Sequence, residues 1–371
     1  MGGVCQGPRV NYEDNAKKDF AVNLVLLGKP GVGKSTVFRQ LTLLYTKQVF
    51  NKEARMNSVF GILRALCHFE RVLVDKVQAG GIELAADILE THRILQEIFD
   101  QINVHNDELK ENKQVATRTK ETFLLLQKVI FHNELVPFHA EILNEDRSDQ
   151  SCASAYFIGR LVSIVETVDE FVPDNSDMLH VRMITDTAAS VNFSTKMKWP
   201  PNSQQMKDVA ICCTDMGGQE EFAFDWVEKS KGATAILHVL CLSDFDSLDE
   251  NDENKLQASI NQIQMFSASK YFEEKHAIIL FNKTDILEEK LKSTEVKKYF
   301  PEYSGDNTVE SMQEYFAKVV KRVVKSTAVV DSQTSHVSVM NICAVDTNIM
   351  KVVLSKVLLQ VFREMIRQVY H

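Results

Sequence analysis

The sequence lacks any run of about 18 or more apolar residues, and its first residues lack the apolar core of a signal peptide. We therefore expect neither a membrane span nor entry into the secretory route. It also lacks a CxxC pair, and its seven cysteines show no Cys/His spacing typical of zinc, which favours reduced, buried thiols. Because the net charge is −9 and no long basic cluster offsets it, we expect no nucleic-acid partner.

The composition that remains is typical of a folded protein of two domains. The chain has 371 residues, of which 44% are hydrophobic and 25% charged. From about residue 53 to residue 172, apolar residues recur at helical spacing and predict an all-helical block. One such stripe consists of Ala85, Ile88, Leu89, His92, Leu95, Phe99 and Ile102.

The second half of the sequence alternates strand and helix patterns. Period-two alternation over 191–199, a turn at 200–203 and apolar residues over 209–213 predict an antiparallel hairpin. Buried strands are predicted at 235–240, 276–281 and 338–343, and a helix near the C-terminus from Leu354 to Val369. This alternation predicts a mostly parallel sheet covered on both faces, interrupted by the helical block after its first strand and helix.

A glycine-rich loop follows the apolar run at 22–27. It reads GKPGVGKST and matches GxxxxGK[ST], a pattern in which successive amides cradle phosphates while the lysine neutralises them and the serine binds Mg²⁺. The predicted nucleotide-binding residues here are Gly28, Gly31, Val32, Gly33, Lys34, Ser35 and Thr36. The loop alone does not separate ATP from GTP.

Two further segments predict which base is bound. The sequence Asn282-Lys283-Thr284-Asp285 follows a predicted strand, where the aspartate can accept from both N1–H and the 2-amino group of guanine. Lys283 can cover the base with its methylene stem, and Asn282 can tie neighbouring loops together. After the next strand, the backbone amides at Cys343 and Ala344 can donate to guanine O6.

A third motif, Asp215-Met216-Gly217-Gly218-Gln219, ends the predicted strand over 209–214. Asp215 is placed to hold Mg²⁺ through a water, and the Gly218 amide can reach the γ-phosphate. Gln219 can orient an attacking water. The three motifs together predict binding of GTP or GDP with Mg²⁺.

These residues resemble the heterotrimeric G-protein α subunits, and the likeness extends over nearly the whole chain after residue 20. It is strengthened by the stretches at 226–246 (WVEKSKGATAILHVLCLSDFD), 299–308 (YFPEYSGDNT) and 343–347 (CAVDT). The resemblance implies an α/β fold: a Ras-like P-loop GTPase domain with a six-stranded, mostly parallel sheet and an inserted all-helical domain. The implied division is an N-terminal segment at 1–19, the GTPase domain at 20–52 and 177–371, and the helical domain at 53–176.

The resemblance also assigns residues 179–185 to the first switch. It implies that Leu179 and Arg182 contact the nucleotide, that Arg182 and Gln219 are catalytic, and that Thr185 joins Ser35 and Asp215 around Mg²⁺. It thus implies a GTPase that converts GTP slowly to GDP and phosphate, and a switch that carries signals from membrane receptors to effectors.

Further expectations concern partners and location. The resemblance implies a βγ dimer, a seven-helix receptor, an accelerating protein of the RGS type and a downstream effector. It also implies acylation of Gly2 and Cys5, because two acyl chains hold a protein firmly at a membrane and one does so only marginally. We therefore expect a peripheral, lipid-anchored protein at the cytoplasmic face of the plasma membrane.

The sequence departs from that family at two loop positions. Pro30 stands where glycine is usual, and Gly31 stands where glutamate is usual. These departures keep two alternatives open beside the active switch: a GTP-binding scaffold with impaired hydrolysis, and a monomeric GTPase that uses no βγ dimer. A P-loop ATPase or nucleotide kinase would share only the loop, and Asp285 argues against adenine.

Overall fold

The computed structural model describes residues 21–46, 50–104, 113–145, 149–182, 189–198, 204–216, 230, 232–249, 251–269, 275–327 and 337–370. The chain divides into two compact units, which we call the sheet unit (Met1–Lys47 with Thr187–His371) and the helical unit (Gln48–Asp186). Among the described residues, no helix has the length and apolar character needed to cross a membrane.

The described elements alternate as the sequence predicts. In chain order they are β1 (Ala21–Leu27), α1 (Lys34–Tyr45), α2 (Lys52–Ala79), α3 (Ala86–Val104), α4 (Lys113–Ile130), α5 (His139–Glu145), α6 (Asp149–Glu166), α7 (Asn175–His180), β2 (Ala189–Lys198), β3 (Met206–Asp215), β4 (Ala235–Cys241), α8 (Lys255–Ser267), β5 (His276–Asn282), α9 (Thr284–Leu291), α10 (Val309–Thr327), β6 (Val337–Asn341) and α11 (Thr347–Tyr370). Short 3₁₀ turns lie at Val136–Phe138, Leu242–Asp246 and Val296–Lys298.

The strands described in the sheet unit form one sheet of six in the order β2-β3-β1-β4-β5-β6. Only β2 runs antiparallel, since it forms the predicted hairpin with β3. The α/β class with a mostly parallel six-stranded sheet is therefore confirmed. Because the chain places later strands on both sides of β1, the loops at the carboxyl ends of β1, β3 and β4 diverge, and such a divergence opens a crevice for a ligand.

Both faces of the sheet are covered, which explains why its central strands are apolar throughout. On one face, α1 and α11 pack on alternate residues of β1 and β4. On the other face, α8, α9 and α10 pack on the remaining residues of β4 and β5. One strand ends earlier than predicted: β6 stops at Asn341 rather than at residue 343, because the chain turns there and the Asp346 N–H donates to the Cys343 carbonyl (3.0 Å).

The helical unit has a separate core, to which α2, α3, α4 and α6 contribute most of the buried residues. The Asn51 side chain begins α2 by accepting from the Ala54 N–H (2.7 Å). A capping box between Asp174 and Asp177 begins α7, and Arg160 of α6 donates to Asp177 (3.0 Å). Helix α7 therefore packs with the helical unit. The predicted stripe is confirmed over Ile88, His92 and Leu95, which are buried on α3.

The cysteines fit the prediction of buried thiols. The described cysteines that form no disulfide are Cys67, Cys212, Cys213, Cys241 and Cys343. Cys213 is buried and Cys212 is partly exposed, as expected for adjacent residues on opposite faces of β3.

Candidate functional site

The glycine-rich loop connects β1 to α1 at the carboxyl edge of the sheet. Its glycines at 28, 31 and 33 all have positive φ, at 140°, 80° and 98°. A Cβ atom on Gly28 would lie 2.4 Å from the Val239 carbonyl oxygen, and one on Gly33 would lie 2.1 Å from Nδ2 of Asn282. Gly28 and Gly33 therefore require glycine both for their backbone angles and because Val239 and the Asn282 side chain come so close.

The first turn of α1 brings the predicted phosphate and metal residues together. Lys34 is buried and its Nζ donates to the Lys29 carbonyl of the same loop (2.8 Å). Ser35 Oγ donates to Oδ2 of Asp215 (2.9 Å), which comes from the end of β3, 180 residues away in the sequence. The structure thus places the serine and the aspartate named from separate motifs side by side. Thr36 follows in the same turn of α1.

Asp215 is the most strongly buried acid of this edge, with 2% of its surface exposed. Burial raises the pKa of its carboxyl group, while the Ser35 hydrogen bond and the charges of Lys34 and Arg39 oppose that shift. Its Oδ1 atom is buried and has no hydrogen-bond partner among the described residues. An ionised carboxylate in this position therefore favours an additional positive charge nearby.

The loop after β5 is fixed by Asn282. Its Nδ2 donates to the Val32 carbonyl of the glycine-rich loop (2.8 Å), and its Oδ1 accepts from the Ala344 N–H (2.9 Å). Asn282 thus ties the loops after β1, β5 and β6 together, as its motif predicts. The next residue, Lys283, adopts a left-handed conformation (φ 59°) immediately before α9, which is uncommon for a residue with a side chain.

Asp285 lies in the exposed first turn of α9, beside Cys343 of the loop after β6. Burial first, and then the charge of Asp285 and a hydrogen bond to it, raise the pKa of Cys343 to about 12. The protonated thiol therefore donates to the carboxylate. Thr284 Oγ1 adds a bond to the Ile342 carbonyl (3.3 Å), so α9 is tied to the same loop.

Two other predicted residues belong to the helical unit. Leu179 is buried in α7 and Arg182 is exposed two residues beyond that helix, both within the helical unit. Burial first, and then the charge of Arg182, lowers the pKa of a second arginine of that unit, Arg64 on α2. The predicted residues Gly2, Cys5, Thr185, Gly218 and Gln219 lie outside the described residues.

The structure also adds residues that the motifs did not single out. Arg39 on α1 is buried near Asp215; burial lowers its pKa to about 10, and the charge of Asp215 opposes this. Arg39 lies four residues after Ser35 on α1, and this spacing could have indicated that the two residues share a face of the helix. Gln40 donates to the Ala344 carbonyl (2.9 Å), and nothing in the sequence pattern indicates that bond.

His238 on β4 is a further residue of this kind. Burial lowers its pKa to about 3, the charge of Lys34 adds to that shift, and a hydrogen bond with Gln262 opposes it. A neutral imidazole therefore underlies the glycine-rich loop, where a second positive charge beside Lys34 would be unfavourable. The strand pattern predicts only that this position is buried.

Comparisons with known proteins agree with this geometry. A family model described as the G-protein alpha subunit matches residues 8–361. The chain is 25% identical over 332 residues to the guanine nucleotide-binding protein alpha-4 subunit of Caenorhabditis briggsae, covering 88% of this chain and 84% of that protein. It is 23% identical over 368 residues to the alpha-7 subunit of Caenorhabditis elegans, covering 94% and 92%. With the alpha-1 subunit of Saccharomyces cerevisiae it shares 26% identity over 277 residues, covering 71% and 54%.

Proposed function

This chain belongs to the G-protein alpha subunit family, whose members bind guanine nucleotides and act as signalling switches, and we propose that it binds GTP with Mg²⁺ and hydrolyses it slowly to GDP. The observation that carries the proposal is the meeting of three loops at one edge of the sheet. Asn282 joins the glycine-rich loop to the loop after β6, and Asp285 lies beside that same loop. These contacts between the loops support recognition of phosphate and base by a single nucleotide site.

The glycine-rich loop supports the phosphate part of the proposal. Its positive-φ glycines turn successive backbone N–H groups toward one side, and α1 begins directly behind them at Lys34. The Lys34 ammonium lies within the loop at the Lys29 carbonyl, and bound phosphate would draw it away from that oxygen.

The Ser35 hydroxyl and the Asp215 carboxylate fit a Mg²⁺ ion, because this ion prefers oxygen ligands and keeps several waters. The buried Oδ1 of Asp215 supplies the acceptor that a bound water needs. When bound, Mg²⁺ neutralises charge on the β- and γ-phosphates. Thr185, outside the described residues, is proposed as a further ligand. Chelation of Mg²⁺ should weaken GTP binding, and less so in a Ser35→Ala variant.

The base part of the proposal can be tested by displacement of a fluorescent GTP analogue. We expect GTP to displace it about 100-fold more effectively than ATP, because adenine has neither the N1–H nor the 2-amino group that Asp285 would accept from. In Asp285→Asn the preference should move toward xanthosine triphosphate, since the amide can donate to the 2-oxo group of xanthine. Glu288→Gln, an exposed change on the same helix, should leave GTP binding unchanged. Equal displacement by ATP and GTP in the wild type would contradict the proposal.

For hydrolysis we propose that Arg182 stabilises charge on the transferring phosphoryl group and that Gln219 orients the attacking water. Arg182 is exposed at the end of its described segment, so its guanidinium is accessible to a ligand. Phosphate release in a single turnover should be lost in Arg182→Ala, while GTP binding persists. Loss of binding as well would argue against a catalytic role.

A second candidate, a GTP-binding scaffold with impaired hydrolysis, is favoured by one observation. Pro30 is exposed at the turn of the glycine-rich loop, where a side chain can obstruct an attacking water. The proline ring is compact and its φ is fixed, so we propose that hydrolysis survives. If phosphate release is absent in the wild type and restored by Pro30→Gly, the scaffold is the better description.

We further propose that the switch works at the cytoplasmic face of the plasma membrane, held by acyl chains on Gly2 and Cys5. Its proposed partners are a βγ dimer, a seven-helix receptor, an RGS-type accelerating protein and an effector. Mass spectrometry of the protein from cells tests acylation directly. Gly2→Ala should move the protein from the membrane fraction to the supernatant, whereas an unchanged distribution would contradict the anchor.

A further inference from the structure

The helical unit contains a cavity of about 140 Å³ between α2 and α3. Its lining residues are Cys67, Glu70, Arg71, Leu95, Gln96, Phe99 and Asp100. None of these is a residue of the proposed nucleotide site. A cavity of roughly this volume can admit benzene, so a ligand of about six heavy atoms is the appropriate size.

The cavity floor is buried and carries a carboxylate. Glu70 is 1% exposed, and Cys67 and Leu95 beside it are equally inaccessible. Oε1 of Glu70 bonds Nδ1 of His92 (2.8 Å), and Nε2 of that ring bonds the Gln96 amide nitrogen (2.8 Å). In this geometry the imidazole donates through Nδ1 to Glu70. The imidazole bonds one of the two carboxylate oxygens of Glu70.

The rim of the cavity adds an aromatic wall and more negative charge. The Arg71 guanidinium lies 5.3 Å from the centre of the Phe99 ring, so this wall already accommodates a planar cation. Asp100 is exposed at the mouth. The negative charge of Asp75, one turn from Arg71 on α2, also acts on Glu70. The lining therefore carries two carboxylates and one guanidinium, and its potential favours a cation over an anion.

We propose that this cavity binds a small organic cation of the alkylguanidinium or alkylammonium class, with its charged group at Glu70 and its apolar part against Leu95 and Phe99. A neutral ligand would add no charge opposite to that of the buried carboxylate, and an anion would be repelled by it. A bare metal ion fits this cavity less well, because Leu95 and Phe99 present apolar surface to it.

Ethylguanidinium and N-ethylurea test the charge requirement, because they have nearly the same shape and differ in charge. Each is titrated into the full-length chain loaded with GDP, while the Leu95 methyl signals are followed by NMR. We expect ethylguanidinium to shift these signals saturably in the millimolar range and ethylurea to bind at least about tenfold more weakly. Ethylammonium in a third titration distinguishes the two cation types. Equal binding of the cation and the urea, or no saturable shift, would overturn the proposal.

Two substitutions locate the site. Glu70→Gln keeps the side-chain volume and removes the charge, and Cys67→Met fills the floor without changing any charge. Each should weaken ethylguanidinium binding by about tenfold or more. Glu97→Gln, an exposed position on α3 that pairs with Arg93, is the matched control and should have no effect. Should Glu70→Gln fail to fold, Cys67→Met still decides; unchanged affinity in Cys67→Met would refute the site. GTP binding should be the same in all variants, so this test is independent of the nucleotide proposal.

Discussion

The carboxyl edge of the sheet and the α2–α3 pair of the helical unit both bury polar groups, but the hydrogen bonds of these groups differ. At the sheet edge, Asn282 bonds backbone atoms of two loops, at Val32 and Ala344. Between α2 and α3, Glu70 and His92 bond each other through their side chains. The first arrangement fixes the course of the backbone, whereas the second depends only on how two helices pack.

This difference explains the different tolerance to be expected of the two regions. At the sheet edge there is no room for a new atom: a Cβ on Gly28 would meet the Val239 backbone, and one on Gly33 would meet the Asn282 side chain, which two loops hold in place. A side-chain pair within a helical core can be replaced by another pair of similar volume at moderate cost. Substitutions can therefore separate the two regions experimentally.

The largest expected effect is that of Gly33→Ala. A Cβ at this residue would lie 2.1 Å from the Asn282 amide, and its φ of 98° is already unfavourable for alanine. We expect GTP binding to be lost and the free energy of unfolding to fall by roughly 3 kcal/mol or more. Nucleotide titration and urea unfolding measure the two effects.

Gly81→Ala is the matched control in the helical unit. Gly81 also has positive φ, at 76°, but no atom of the described part of the chain lies within 4 Å of the position its Cβ would take. Only backbone strain remains, so we expect a loss of about 1 kcal/mol and unchanged GTP binding. If both variants bind GTP equally well, close approach at the loop is not what requires glycine.

A smaller effect is expected from His92→Ala. Removing the imidazole leaves the Glu70 carboxyl group buried without its hydrogen-bond partner, which should lower the free energy of unfolding by about 2–3 kcal/mol. His132→Ala provides the comparison, because that histidine is partly exposed and lies 3.7 Å from an exposed Glu134. It should change stability by less than about 0.5 kcal/mol. Similar losses in both variants would show that the Glu70–His92 bond contributes little.

The same contrast explains how much of each region can be predicted from the sequence. The strand predicted at 235–240 is observed at Ala235–Cys241. This strand is buried on both faces, and the sequence shows this as a run of consecutive, mostly apolar residues. Asp215 and Asn282 are predicted from short motifs, since each motif lies at the end of a strand. Arg39 and Gln40 of α1 are not predicted, because no motif includes them. The Glu70–His92 bond was not found. His92 was predicted only as part of the buried stripe, and its partner lies 22 residues away on another helix, where no local spacing identifies it.

The α2–α3 pair should also make stability depend on pH. Burial raises the pKa of Glu70 above its ordinary 4.5 despite the opposing bond to His92. For His92, burial lowers the pKa, but the hydrogen bond and charge of Glu70 outweigh it and raise the pKa above 6.5. Both groups hold protons more tightly when folded, so their contribution is full below pH 4.5 and is lost as pH rises through and above 6.5.

Urea unfolding of the chain between pH 4 and pH 8 tests this slope. Double substitution Glu70→Gln with His92→Gln removes both groups, and the difference in stability between wild type and variant should shrink as pH rises. A difference that is constant or grows with pH would contradict the assigned shifts.

The smallest effect concerns two helical glycines that differ only in their surroundings. Gly159 is exposed within α6, and no atom of the described residues lies within 4 Å of the position that an added Cβ would take. Gly159→Ala should therefore stabilise the helical unit by about 0.5–1 kcal/mol, because alanine has the higher helix propensity. At Gly61 within α2, the same new atom would lie 2.4 Å from Cγ2 of Val181. Gly61→Ala should therefore destabilise, since the steric contact exceeds the gain in propensity. Thermal unfolding of both variants measures the sign, and a stabilised Gly61→Ala would show that the Val181 side chain can move away from the new atom.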